Sequence, residues 1–171
     1  MNLRYFFYFL ALLLYVSTAL NSYGFDDEFV NISFIEAYGF SSFKNTQTED
    51  VHPPLSYIIN ALLYEVFNSW VVVRVISALA ICAAFFYVGE NFFRRYGHRA
   101  ATLTFLLLAS NPAILLWGTS LRWYAYFLIV LLWLSITPKK HGIAYWAKLS
   151  VGLTILGYIN YIAFLLAPAI I

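Results

Sequence analysis

Long apolar runs separated by charged loops constrain the fold of this chain more than any other feature. The runs are continuous and Leu-rich, without alternation of apolar and polar positions, so they predict helices and not strands. Only 11% of the residues are charged and 63% are hydrophobic, whereas a soluble domain carries about 25% charged residues. Because lipid offers the backbone no hydrogen-bond partners, this composition predicts an all-α integral membrane protein.

The charged residues predict an orientation, because cytoplasmic loops collect Lys and Arg. Seven of the ten basic residues can share the inner side, namely Arg4, Arg94, Arg95, Arg99, Lys139, Lys140 and Lys148. Seven of the eight carboxylates then fall outside, namely Asp26, Asp27, Glu28, Glu36, Glu49, Asp50 and Glu65. The orientation rule does not explain the clustered acids, which we interpret as an active site. The lack of a basic stripe away from the membrane ends argues against nucleic-acid binding.

Five membrane spans and one large outer loop are expected. The spans cover about residues 5–20, 70–89, 100–117, 120–137 and 149–166. The outer loop, about residues 21–69, is expected to be partly helical, with one helix over Asp27–Tyr38 that ends at Gly39. The first run could also serve as a signal peptide, but its length favours an uncleaved span. The prediction is therefore a polytopic helix bundle with a partly helical first outer loop.

A second helix in the outer loop decides the topology. It is expected to begin at Pro54 and to end near Asn68, which makes it roughly 21 Å long, shorter than the bilayer core of about 30 Å. Its apolar residues form one stripe, namely Leu55, Ile58, Ile59, Leu62, Leu63 and Val66. Ser56, Asn60 and Glu65 lie off this stripe. We expect the helix to lie in the membrane interface without crossing it.

Acidic and basic residues of the outer side suit a reaction at a lipid-linked phosphate. Carboxylates at Asp26–Glu28 and Asp50 can deprotonate a hydroxyl or bind a divalent cation, and His52 lies beside the start of the Pro54 helix. Arg122 suits a phosphate anion, although it could instead contact lipid headgroups. For Arg74 we expect headgroup contact. No Gly-rich ATP-binding loop is found, so the energy is expected to come with an activated lipid phosphate.

At these residues the chain resembles a known family. An acidic pair, Asp27-Glu28, follows the first span, and Asp50-Val51-His52-Pro53-Pro54-Leu55 opens a helix. This pattern resembles the GT-C-type membrane glycosyltransferases, especially the protein O-mannosyltransferases and their bacterial dolichyl-phosphate-mannose–protein-mannosyltransferase-like relatives. Asn111-Pro112 and Ser120–Tyr124 resemble the bacterial members too. The resemblance covers residues 1–171, as the N-terminal part of an enzyme with more spans.

The resemblance implies transfer of a sugar from a polyprenyl-phosphate donor to a protein, lipid or glycan acceptor at the outer or luminal face. It makes Asp27 the catalytic base with Glu28 as its neighbour, although Asp26 leaves the register open. It assigns substrate binding to Asp50, His52, Arg122 and Tyr124. Members of the wider group differ in metal use, so no cofactor is certain and a divalent ion stays open. The expected location is the bacterial inner membrane, in contact with membrane lipid.

Other interpretations stay open. Asp26–Glu28 could be a solvated helix start, and the chain could be a non-catalytic transport or assembly subunit, or an inactive relative. The scarcity of charges within the spans counts against a transporter. The sequence Asn31-Ile32-Ser33 matches a glycosylation site, which we interpret as coincidence. The apolar end at 168–171 predicts that the chain is a fragment, inactive alone.

Overall fold

The computed structural model of the protein describes residues 3–21, 26–39, 55–121, 123–136 and 142–160. Helices account for nearly all of these residues, and no strand is found among them, so the all-α prediction is confirmed. The helices are α1 Leu3–Asn21, α2 Asp26–Tyr38, α3 Leu55–Phe67, α4 Trp70–Ala109, α5 Pro112–Gly118, α6 Trp123–Ser135 and α7 Ile143–Ile159.

Helix α4 is a helical hairpin that reverses at Gly97. This residue has φ 79° and ψ −178°, a left-handed conformation that glycine adopts without a Cβ clash. The Phe85 and Phe105 rings, on either side of it, lie 6.5 Å apart, whereas a straight helix would separate them by about 30 Å. The limbs 70–96 and 98–109 are therefore antiparallel. The reversal falls within residues 90–99, the expected loop between the second and third spans, although the first limb continues seven residues past the expected end at about residue 89.

Helix α1 packs against both limbs of this hairpin. The Tyr8 ring lies 4.9 Å from Phe86 on the first limb and 4.7 Å from Phe105 on the second. About two helical turns further along α1, Tyr15 is fully buried with its ring 5.7 Å from that of Phe85. Aromatic and aliphatic side chains from α1, both limbs of α4 and α6 thus form the main core.

A break at Asn111 interrupts the segment predicted as the third span. The Asn111 Oδ1 atom accepts hydrogen bonds from the backbone N–H groups of Ala113 at 3.0 Å and Ile114 at 3.3 Å. An asparagine in this position caps the start of a helix, and the proline that follows suits the first helical position. Residues 100–117 are therefore two helical pieces, the second limb of α4 and the short α5.

Two cations lie at the C-terminal end of α6. The Arg95 Nη2 atom donates to the Ile136 carbonyl at 3.3 Å, and the Lys148 Nζ atom donates to the Trp133 carbonyl at 2.9 Å. The last carbonyls of a helix lack partners within the helix, and cations there are favourable. This basic end contains the Gly97 reversal. Arg74 lies about 31 Å away from Arg95 along the first limb of α4, at the rise of a helix.

Helix α3 turns its more polar face towards the protein. Ser56, Tyr57, Asn60 and Ala61 are buried, whereas Leu62 is 47% exposed and Val66 is 73% exposed. None of the six residues of the predicted apolar stripe is buried, and Leu62 and Val66, towards the C-terminal end of α3, are the most exposed of them. Such a distribution is the reverse of a surface helix in a soluble domain, which buries its apolar stripe.

The predicted ends of α2 and α3 agree with the structure. Gly39 follows α2 with φ 55°, the left-handed conformation expected of a glycine after a helix. Asn68 follows α3 with φ 48°, and its N–H donates to the Tyr64 carbonyl at 2.7 Å. Ser69 then caps α4, since its hydroxyl accepts from the Val72 N–H at 3.5 Å. Two short helices thus lie in the expected outer loop.

Length and apolar composition identify one helix in the described ranges that could cross a membrane, Trp70–Leu103, which contains the Gly97 break. The shorter apolar helices are Tyr5–Asn21, Leu55–Phe67, Trp123–Ser135 and Ile143–Ile159. The long helix indicates membrane association, and the arrangement of five spans stays a prediction.

Candidate functional site

A buried ion pair joins the first turn of α2 to the first limb of α4. The Arg74 Nε atom lies 3.1 Å from Glu28 Oε1, and its Nη2 atom lies 3.3 Å from Oε2. Glu28 is 1% exposed and Arg74 is 8% exposed. Two parallel hydrogen bonds between a guanidinium and a carboxylate form a strong, orientation-specific contact, which fixes the start of α2 against the bundle.

Three side chains hold the backbone of Leu121, in the turn between α5 and α6. Its N–H donates to Glu28 Oε1 at 2.6 Å. Its carbonyl accepts from Asn60 Nδ2 at 2.5 Å and from Asn31 Nδ2. Glu28 and Asn31 are three residues apart and therefore lie on one face of α2. We call these groups, the side chains of Glu28, Asn31, Asn60 and Arg74 with the Leu121 backbone, the Leu121 cluster.

The orientation of the Asn60 amide is set by a further contact. The Tyr126 hydroxyl, on α6, donates to Asn60 Oδ1. Because the oxygen of the amide accepts from Tyr126, its NH₂ group is directed at the Leu121 carbonyl, which accepts only. The Leu121 cluster thus receives contacts from α2, α3, α4 and α6.

A second contact holds α2 and α3 to the start of α4. The Trp70 Nε1 atom donates to Glu36 Oε1 at 2.8 Å, and the Trp70 ring stacks on Tyr64 with centroids 4.1 Å apart. Between α2 and α3, the Phe34 ring packs edge-on against the Tyr57 ring, with the two ring centroids 6.5 Å apart. The two short helices are therefore fastened to one end of the bundle.

The structure describes some of the predicted site residues and not others. Asp27 lies in the first turn of α2, although its side chain is outside the description. Tyr124 is half-buried at the start of α6, its ring 4.2 Å from that of Trp123. Asp50, His52 and Arg122 lie outside the described residues, so their assignments stay predictions.

The expectation that Arg74 reaches the lipid headgroups is wrong. Its guanidinium turns inward to Glu28, because a buried carboxylate requires an opposite charge. Two further members of the cluster, Asn31 and Asn60, were not identified from the sequence as site residues. One signal in the sequence could have identified them, since each is an amide side chain within an otherwise largely apolar helical segment. Asn31 also lies three residues after Glu28 and therefore on the same face of α2. Because Asn31 is buried, the glycosylation motif that contains it is not accessible.

No group of three or more His, Cys, Asp or Glu side chains able to hold a metal ion is found within the described part of the chain. Of the carboxylates considered for a divalent cation, only Glu28 has a side chain that the structure describes, whereas the side chains of Asp26, Asp27 and Asp50 lie outside the description. The question of a divalent ion, which the family resemblance leaves undecided, therefore stays open.

Comparisons of this chain with known protein families, curated proteins and solved structures find no match.

Proposed function

We propose that this chain is the N-terminal membrane part of a glycosyltransferase that moves a sugar from a polyprenyl-phosphate donor to an acceptor. One observation carries the proposal: Glu28 binds both Arg74 and the Leu121 N–H. Asp27 precedes Glu28 in the chain and Arg122 follows Leu121. The proposed base and the proposed phosphate-binding cation are therefore each covalently next to a residue of the same buried contact.

The distribution of exposed apolar side chains supports a membrane location with several spans. Phe9 and Leu13 on α1, Leu107 on α4 and Val151 on α7 are each more than half exposed. In the most apolar 18-residue stretch of the long helix, only 39% is buried within the protein. Continuous exposed apolar surface on a soluble monomer is unfavourable, and such surface marks contact with lipid or another protein. We assign it to lipid, in a multi-pass protein of the bacterial inner membrane.

The inverted face of α3 supports its placement in the interface. Its buried side presents Asn60 to the Leu121 carbonyl, while Leu62 and Val66 project away from the protein. Polar groups in membrane proteins face the protein interior, where they find partners. The exposed stripe of α3 is suited to the acyl chains at the outer leaflet boundary.

In the proposed reaction, Asp27 accepts the proton of an acceptor hydroxyl. The hydroxyl oxygen attacks the anomeric carbon of the sugar, and the bond from that carbon to the phosphate oxygen breaks. Polyprenyl phosphate leaves with the bonding electrons, and the positive charge of Arg122 stabilises it. Inversion at the anomeric carbon follows from the family resemblance. In this scheme Glu28 does not touch substrate, because its carboxylate is occupied by Arg74 and Leu121.

A non-catalytic assembly subunit is the second candidate. The observation in its favour is that Glu28, the most deeply buried acid of the described chain, binds Arg74 and the Leu121 N–H within the protein, as a purely structural group would. The two candidates differ in one respect: only the transferase requires Asp27 for turnover of a lipid-phosphate sugar.

The test uses membranes that contain the full-length protein and donors of defined chemistry, polyprenyl-phosphate mannose and polyprenyl-phosphate glucose. Release of polyprenyl phosphate is measured for the parent, Asp27→Asn and Asp26→Asn. Loss of a general base lowers the rate by about 10² to 10⁴-fold, so Asp27→Asn should be nearly inactive. Glu65→Gln, which removes an exposed acid on α3, is the matched control. Loss of activity in Asp26→Asn alone would move the base by one residue, and full activity in both would reject the mechanism.

A further inference from the structure

Two buried asparagines donate to one carbonyl oxygen. Asn31 on α2 and Asn60 on α3 both direct their amide groups at the oxygen of Leu121, and both side chains are essentially inaccessible. A carbonyl oxygen has two lone pairs and accepts two hydrogen bonds. The two amides together therefore complete the hydrogen bonding of this oxygen.

Side chains, and not a helix, satisfy the backbone of Leu121. The residue lies between the end of α5 at Gly118 and the start of α6 at Trp123, and its N–H is bound by Glu28. Buried backbone groups outside regular structure need such partners. Glu28 and Asn31 of α2 hold opposite polar groups of one residue, so this residue fixes both the position and the rotation of the first turns of α2.

Asn60 connects the same point to a rigid support. Its amide oxygen accepts from Tyr126 on α6, and α3 is attached to α4 through the Tyr64–Trp70 stack. Asn31 lies one helical turn after Asp27 on α2. A chain of contacts therefore runs from α6 and α3, through Asn60 and the Leu121 carbonyl, to Asn31 and the helix that carries Asp27.

We propose that Asn31 and Asn60 are positioning residues of the glycosyltransferase site, which hold the first turn of α2, and with it Asp27, through their shared contact with the Leu121 carbonyl. The inference rests on the proposed function and deepens it. A displacement of a catalytic group by about 1 Å costs on the order of 100-fold in rate, so loss of either amide should lower kcat more than it changes the donor KM.

The experiment measures kcat and the donor KM in membranes of the full-length protein with the polyprenyl-phosphate sugar that the parent uses. Asn31→Ala and Asn60→Ala should each lower kcat by about 10 to 100-fold and leave KM within about threefold. Asn91→Ala is the matched control. The Asn91 amide also donates to a backbone carbonyl, that of Tyr87, but it lies at the Gly97 end of the first limb of α4, away from the Leu121 cluster. It should retain the parent values.

A second readout is hydrogen exchange of peptides that span residues 115–121. Asn31→Ala and Asn60→Ala should exchange faster there than the parent, whereas Asn91→Ala should not. Tyr126→Phe removes only the hydroxyl that orients Asn60, so it should also lower kcat, by a smaller factor. If Asn60→Ala does not accumulate in the membrane, Tyr126→Phe takes its place in the test.

The outcomes separate the two proposals. A parent without turnover of either donor overturns the proposed function, and this inference with it. A parent that turns over donor, with asparagine variants that keep its kcat or that change only KM, overturns the positioning role alone. A fall in kcat with faster exchange at 115–121 supports it.

Discussion

Glu28 and Arg74, 46 positions apart in the sequence, form a buried ion pair in which Arg74 Nε lies 3.1 Å from Glu28 Oε1. The pair joins α2 to the start of α4, the longest helix of the described chain. Its burial makes it sensitive to the loss of one partner, because the remaining charge is left without compensation in a medium of low dielectric constant.

Arg74→Met should therefore destabilise the protein by about 3–5 kcal/mol, measured as the unfolding transition in detergent micelles. The double variant Glu28→Gln/Arg74→Met should recover part of the loss, because glutamine removes the buried charge and still accepts from the Leu121 N–H. Arg99→Met, which changes an exposed residue near the Gly97 reversal, should have little effect. An Arg74→Met variant as stable as the parent contradicts the role given to the pair.

Thiol labelling tests the expected orientation. Glu65 and Arg99 are both exposed and lie towards opposite ends of the molecule. In a background with Cys82→Ala, a cysteine at Glu65 should react with an impermeant reagent added to intact cells. A cysteine at Arg99 should react only after the membrane is permeabilised. The reverse pattern would place the basic loops outside and remove the basis of the outer-face site.

The exposed stripe of α3 should contact lipid. A nitroxide attached at Val66→Cys, again with Cys82→Ala, should collide more often with oxygen, which dissolves in lipid, than with a water-soluble nickel chelate. At Glu65→Cys, the neighbouring position off the stripe, the preference should be reversed. Val66 is 73% exposed, so the label can be introduced without disturbing the packing. A nitroxide at Val66 that prefers the nickel chelate would show that α3 faces water.

Arg122→Ala should affect the donor more than the acceptor. A hydrogen bond from a charged group contributes about 1.5–3 kcal/mol, so the donor KM should rise by about 10 to 100-fold while the acceptor KM changes little. Steady-state kinetics with each substrate varied in turn measure the two KM values, and Arg99→Ala serves as the control. An equal rise in both KM values would argue against a phosphate contact.

His52→Ala should lower the transfer activity by an intermediate amount, less than Asp27→Asn does. The same steady-state kinetics measure this effect, again with Arg99→Ala as the control.

Local patterns in the sequence predicted α1, the short helices α2 and α3, and their ends. Gly39 and Asn68 stand after α2 and α3 with positive φ, because the residues that tolerate this conformation are few and recognisable. The turn at the Arg94–Arg99 cluster is also present, at Gly97. The break at Asn111 was not predicted, although Asn-Pro is a helix-starting pair, because the apolar residues on both sides of it were interpreted as one span.

The polar contacts of the candidate site were less accessible to sequence reasoning. Arg74 was expected at the headgroups, and Asn60 was placed off the apolar stripe of α3 without a partner. Both partners, Glu28 and Leu121, are distant in sequence, with separations of 46 and 61 positions. Periodicity identifies which residues share a face of a helix, but it does not say which face meets the protein when lipid can cover the apolar one.

The sequence by itself determined the helical class and the ends of the short helices α2 and α3, since these depend on composition and local backbone preference. Only the tertiary structure decided that the polar face of α3 is the inner one and that Glu28, Asn31 and Asn60 meet at the backbone of Leu121. The physical reason is that a buried backbone group outside a helix must find a hydrogen-bond partner, and its partner is selected by the packing of four helices and not by its neighbours in the chain.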